Sequence, residues 1–231
     1  MKSLETLFLL FLLFGCQQKE KCNLTHEMFC SPADSNALVF TIQQVWEETD
    51  SFQNVMCASL GKPLFIKVDK IYLPFNSEYQ DRNCTGIPYC GPVRRKDRID
   101  VLVNSNNQIL FEGEIVKLQD LDSLFQLLYL NRGEDSLWPS SPNKCWLQIR
   151  WDINSSQSSV NAAITELMSG YANAIVPVIS NNGNNICDSL RAKKDYVFKG
   201  YPIRTILSSG HYTLGGSVQN KLFNVCFSYK C

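Results

Sequence analysis

Histidine is nearly missing from this chain, with two in 231 residues, His26 and His211. A nucleophile activated by imidazole needs one beside it. Neither sits in a nucleophile elbow; His211 lies in Ser208-Ser209-Gly210-His211-Tyr212. Excess charge of either sign is missing too, because 22 Lys and Arg are offset by 22 Asp and Glu. The electrostatic footprint of a nucleic-acid binder is therefore not there. No phosphate loop or dinucleotide fingerprint occurs, and no Cys-x-x-Cys pair offers the spacing of a zinc site. Apolar runs are short. The longest, Leu7 to Gly15, falls below the ~20 residues that cross a bilayer. Paired carboxylates such as Glu47-Glu48 and Asp120/Asp122 fit solvated helix faces. No catalytic residue, cofactor or metal site is expected, and the sequence points away from an enzyme.

Cysteine, in contrast, is plentiful. Ten are many for a reducing compartment and indicate an oxidising one. The N-terminus agrees. Lys2 precedes the apolar run from Leu7, which has the length of a signal-peptide h-region. The run ends in Leu13-Phe14-Gly15-Cys16, which resembles a bacterial lipobox and so implies Cys16 as the lipidation site. The rival is a signal cleaved near Gly15, for which Leu13 is a poor match to the small residue expected there. Gln17-Gln18-Lys19-Glu20-Lys21 then reads as a tether. With Cys16 set aside, nine cysteines remain from ten, an odd number that leaves one thiol free or paired between chains. Connectivity does not follow from sequence, but Cys84 with Cys90 and Cys226 with Cys231 are close enough to pair locally.

The most informative stretch runs from Ile99 to Ala174. Ile99, Val101 and Val103 alternate as in a half-buried strand. Asn104-Ser105-Asn106-Asn107 turns the chain, and Ile109 and Phe111 restart the alternation, so a β-hairpin is predicted. From Leu118 the period changes: Leu118, Leu121, Leu124, Phe125 and Leu128 mark one helical face. Asp120 and Asp122 complement its dipole. Trp146 to Trp151 alternates again, and after Asp152 and a Ser-rich cap, Val160, Ala163, Ile164, Leu167 and Tyr171 repeat the helical spacing. The order is that of a small α+β domain with helices on one face of a sheet.

Earlier in the chain, Ile42, Val45, Trp46, Thr49, Phe52 and Met56 predict a helix. Leu64, Ile66 and Val68 predict a strand, with Ile71 and Leu73 continuing in the other phase. Residues 76 to 92 carry Gly86, Pro88, Gly91 and Pro92 and read as a loop. Arg94, Arg95, Lys96 and Arg98 form a basic knot before the Ile99 strand; a solvated approach to that strand is the plain explanation, contact with anionic lipid or a partner the functional one. Beyond Ala174, Ile175-Val176-Pro177-Val178-Ile179 is expected as a strand broken by Pro177. Ile203–Leu207 and Leu222–Phe227 are expected as short strands added to the sheet.

The words VLVNSNNQILFEGEIVKLQDL at 101 to 121 and LQIRWDINSSQSSVNAAITELMSGY at 147 to 171 resemble the periplasmic domain of the ExbD/TolR family of biopolymer transport proteins. A weaker echo is Tyr201-Pro202-Ile203-Arg204-Thr205-Ile206. The resemblance implies an α+β fold with a small mixed sheet and amphipathic helices packed on one face, here with disulfide-stapled extensions. It implies a domain that dimerises or engages partner proteins. The family's transmembrane helix with its intramembrane aspartate has no counterpart in the apolar run near the N-terminus, so no proton-relay role carries over. The organisation expected is a signal at 1–15, a polar tether at 16–36, a helix/strand region with a Cys-containing loop at 37–92, the ExbD-like domain at 93–180 and an extension at 181–231. The function expected is that of a lipid-anchored cell-envelope protein that binds or scaffolds, accessory to biopolymer transport. Its partners would be envelope proteins or a homodimer mate through a sheet edge, and the membrane through its anchor, with no nucleic acid. The alternative is a disulfide-rich secreted binding module unrelated to transport.

Overall fold

Ile99, Val101 and Val103 have no exposed surface and alternate with Arg98, Asp100 and Leu102 along β4 (Arg98–Val103), the strand from which the larger sheet is built. The computed structural model describes residues 23–29, 32, 36–47, 55, 57–58, 62–75, 94–180, 186–190, 193, 197, 201–212 and 218–228. Within these, α1 (Leu24–Met28), β1 (Leu38–Thr41), α2 (Ile42–Glu47), β2 (Leu64–Val68) and β3 (Ile71–Phe75) precede β4. After it come β5 (Ile109–Phe111), β6 (Glu114–Val116), α3 (Leu121–Tyr129), β7 (Trp146–Asp152), α4 (Gln157–Ile179), β8 (Arg204–Tyr212) and β9 (Val218–Ser228). The fold is α+β with two mixed sheets: three strands in the order β1-β2-β3 and six in the order β6-β5-β4-β7-β8-β9. The larger sheet therefore takes in both C-terminal strands expected from sequence.

Local chemistry explains the connections. Asn104 accepts from the amides of Asn106 (3.0 Å) and Gln108 (2.9 Å), and Asn107 takes a positive φ of 61°. This is the self-bonding turn expected of asparagine. It closes the hairpin in which Val101 faces Phe111 and Val103 faces Ile109. In the smaller sheet, the change of apolar phase between Val68 and Ile71 is a two-residue turn. Antiparallel pairing sets Val68 opposite Ile71 and Ile66 opposite Leu73, so the apolar side chains stay on one face.

β4, β7 and β8 run parallel, with Val101 beside Ile149 and Ile149 beside Leu207. Between β7 and β8 the chain crosses through α4. Ser156 caps that helix, accepting from the Ser159 amide at 3.2 Å. The Ser155 hydroxyl reaches the carbonyls of Val103 and Asn104, both at 3.0 Å, which ties the cap to the hairpin turn. Residues 175–179 are helical, not a strand. Tyr171, Ile175 and Ile179 are buried four apart and carry the helical period to the end; Pro177, inside the helix, removes the amide that would bond the Asn173 carbonyl, and that burial outweighs the loss.

α4 is long and apolar enough, by length and composition alone, to cross a membrane. In the structure it is the core helix. Val160, Ala163, Ile164, Leu167, Met168, Tyr171, Ala174, Ile175 and Ile179 are buried on it, more than one face can supply. It contacts β4, α3, α1 and β2. Leu121, Phe125, Leu128 and Tyr129 are the buried face of α3, whereas Leu118 lies in a preceding 3-10 turn and is partly exposed. Tyr129 and Tyr171 meet edge to face at 5.6 Å and pin the approach to β8, donating to the carbonyls of Pro202 (3.2 Å) and Tyr201 (2.7 Å).

Gly170 marks where α3 and α4 cross. A Cβ there would lie 2.8 Å from the Asp122 carbonyl oxygen and 3.1 Å from its Cα, both backbone atoms. The Asp122 carboxylate accepts from Asn173 (2.7 Å), Ser169 (3.3 Å) and Gln126, so it is a bond between helices and not the solvated charge expected from sequence. Replacing Gly170 by Ala would gain roughly 1 kcal/mol of helix propensity but force the helices apart at a cost of about 1–3 kcal/mol. Gly170→Ala is therefore expected to lower stability in urea unfolding; a gain would mean that α3 moves freely.

Candidate functional site

The sheet ends at β6, beyond which no strand lies among the described residues. β6 is three residues long, too short for a sequence period to disclose. The signal that marks it is Glu112-Gly113. Both residues take positive φ (52° and 92°), the signature of a two-residue hairpin turn with primed geometry. Phe111 and Glu114 close that turn, so they form the hydrogen-bonded pair. The next pair, Leu110 and Ile115, is the non-bonded kind, and the amide and carbonyl of Ile115 point away from the sheet.

The side chain of Ile115 is 64% exposed. It continues a cross-strand row in which Leu102 faces Leu110 and Leu110 faces Ile115. The row lies on the face opposite α3 and α4, where Leu102 is buried, Leu110 half-buried and Ile115 exposed. The edge thus offers one outward donor, one outward acceptor and the exposed Ile115 side chain beside them.

A polar brace holds the turn that presents this edge. The Glu112 amide donates to the Asp100 carbonyl at 2.8 Å, and the Asp100 amide donates back to the Glu112 carboxylate at 2.5 Å. Arg150 on β7 grips the Asp100 carboxylate with two bonds, from Nε at 2.9 Å and from the guanidinium terminus at 2.6 Å. Both side chains are half-buried, with less than a fifth exposed. Partial burial pushes the Glu112 carboxyl above its usual range, the Asp100 amide opposing and the Asp100 charge adding to the shift.

The residues expected as sites are placed as follows. Cys16, Cys84, Cys90 and Cys231 lie outside the described residues; of the stretch expected as a tether at 16–36, residues 23–29, 32 and 36 are described, and Met28 and Phe29, at the end of α1, are buried in the core. Cys226 is in β9, where its backbone pairs with Ile206. Cys57 and Cys187 are disulfide-bonded. Cys145 is a free thiol, buried at the start of β7, where loss of solvation drives its pKa far up and makes it inert. His26 is exposed in α1, and the backbone of His211 pairs with Asn220 in the sheet. No group of His, Cys, Asp or Glu suited to a metal ion occurs among the described residues. Comparison with family models, with curated proteins and with solved structures finds no match.

A raised carboxyl pKa gives the folded state more bound protons than the unfolded state between the ordinary value, 4.5, and the raised one. Stability therefore falls as pH rises through that window. Glu112→Gln keeps an acceptor for the Asp100 amide and removes the titration. The variant is expected to gain stability relative to the natural chain as pH climbs above 4.5 in thermal unfolding; parallel pH profiles would count against the buried carboxyl.

Proposed function

We propose that this chain is a lipid-anchored cell-envelope protein whose ExbD-like α+β domain is a non-enzymatic binding component, accessory to biopolymer transport. The observation that carries the reading is the β6 edge, unpaired among the described residues. Its outward amide and carbonyl suit strand addition by an extended partner, with the exposed Ile115 and the half-buried Leu110 beside it giving side-chain selectivity. The partner is a strand of an envelope protein or of a second copy.

Two further features support it. The observed sequence of hairpin, Glu112-Gly113 turn, α3, β7 ending in Asp152, polar loop and α4 follows the order of the words that resemble ExbD and TolR, and Tyr201–Ile206 leads into β8 where the weaker echo falls. The disulfide-bonded Cys57 and Cys187 suit an exported protein, as do the signal-like first 15 residues and the extensions that further bridges would staple.

Two experiments test the reading. A fatty-acid probe is expected to label the natural chain and not Cys16→Ala; no label on the natural chain removes the anchor and leaves a secreted binding module. Ile115→Pro deletes the outward amide yet leaves the bonds of Phe111 and Glu114, and proline is tolerated on an edge strand where its nitrogen faces solvent. Cross-linking in envelopes is expected to trap a partner or a dimer with the natural chain and to lose it with Ile115→Pro, at unchanged circular dichroism. Identical products from both chains would sink the edge as the binding site.

A further inference from the structure

The parallel register brings together cations that are far apart in sequence. β4, β7 and β8 all begin at one end of the sheet, since Arg98 pairs with Trp146 and Leu147 with Thr205. At that end Arg94, Arg95 and Lys96 precede and enter the 3-10 turn before β4, and Arg98 opens the strand. Lys144 stands two residues before β7's Trp146, and Arg204 opens β8. Arg204 lies over the Trp146 ring at 5.6 Å and donates to the Asn143 carbonyl, which locks the starts of β7 and β8 together. None of the six cations forms an ion pair among the described residues.

The acids nearby offset them only in part. Asp97 sits in the same turn and the Glu112 carboxyl feels the charges of Arg98 and Arg95, whereas the Asp100 charge is taken by Arg150, so the six cations outnumber the acids left to face them. In a chain of zero formal charge, six cations at one end of a sheet amount to a marked polarity.

We propose that this end of the sheet docks on an anionic membrane surface, with Arg94, Arg95, Lys96, Arg98, Lys144 and Arg204 meeting lipid phosphates and the half-buried Trp146 among them at headgroup level. The proposal rests on the anchored reading above, because a tether from residue 16 keeps the domain within reach of the bilayer and makes weak charge contacts sufficient. Each cation near an anionic surface strengthens binding roughly fivefold, and the contact is screened by salt.

The test floats the full chain with vesicles of phosphatidylcholine alone or mixed with phosphatidylglycerol, at low and at high salt. The natural chain is expected to prefer the anionic vesicles at low salt and to lose the preference at high salt. Reversing Arg94→Glu, Arg95→Glu and Lys96→Glu together, in exposed positions outside the core, is expected to cut that preference by about a hundredfold or more. Lys144→Glu, at a separate point in sequence, is expected to weaken it in the same direction. Binding to neutral vesicles reports the anchor and is expected to be the same in all chains. Equal binding of the natural chain to both vesicle types, or an undiminished preference in the triple variant, overturns the proposal. Tight binding to heparin with no vesicle preference overturns it too, since it marks a general polyanion face. Loss of neutral-vesicle binding with the anionic preference intact counts against the anchor alone.

Discussion

Burial of α4 around most of its circumference is the constraint on which the remaining architecture depends. A helix of 23 residues this apolar cannot rest one face on a sheet and leave the other in water. It needs β4 below it, α3 beside it, and α1 and β2 on a further side, and each is present. The Asn161 side chain donates to Asp69 in the β2–β3 turn at 3.3 Å, and Phe29 lies 6.0 Å from Tyr171. The N-terminal elements are therefore held by the same helix that covers the larger sheet. Glycine at position 170 sets how closely α3 approaches, and only at that approach do Ser169 and Asn173 reach the Asp122 carboxylate. Packing and the polar bonds between helices have one geometric cause.

Much of this was legible in the chain because periodicity reports burial. Ile99, Val101 and Val103 alternate and are buried; Val160 to Tyr171 recur at helical spacing and are buried. The hairpin turn was legible because asparagine carries its own acceptor to the backbone. Besides β1, which no signal in the sequence marked, three things escaped for a plain physical reason. β6 is shorter than any period, and only the positive φ at Glu112 and Gly113 betrays it. The last turns of α4 are rich in β-branched residues and contain Pro177, the composition of a broken strand, yet burial at Ile175 and Ile179 won over propensity. Asp122 looked like a dipole charge because a sequence does not show what lies across a helix crossing.

The candidate sites were less legible still. The basic knot at 94–98 is visible as letters, but Lys144 and Arg204 join it only through the parallel register of β4, β7 and β8. The outward amide of Ile115 likewise follows from which pairs in the β5–β6 hairpin are bonded, a matter of turn length and not of composition. Cysteine count could not say which thiols pair: Cys57 and Cys187 are bonded, while the buried Cys145 thiol is kept from reaction by its surroundings.

The two surfaces differ in direction as well as chemistry. Bonds from the β6 edge lie in the plane of the sheet and run across the strands. The cations sit at the strand ends. The Glu112-Gly113 turn lies at that same end, since Phe111 is opposite Val101 and the turn comes next to β4's first residues. A domain resting on a bilayer by its cationic end would thus hold the β6 edge sideways, parallel to the membrane and unobstructed by it. An edge of three residues with one outward donor and one acceptor is too short to recruit a strand from dilute solution. Confinement at a surface raises the encounter rate of such a weak site without adding a contact, which gives the cationic end a physical consequence for the edge beside it.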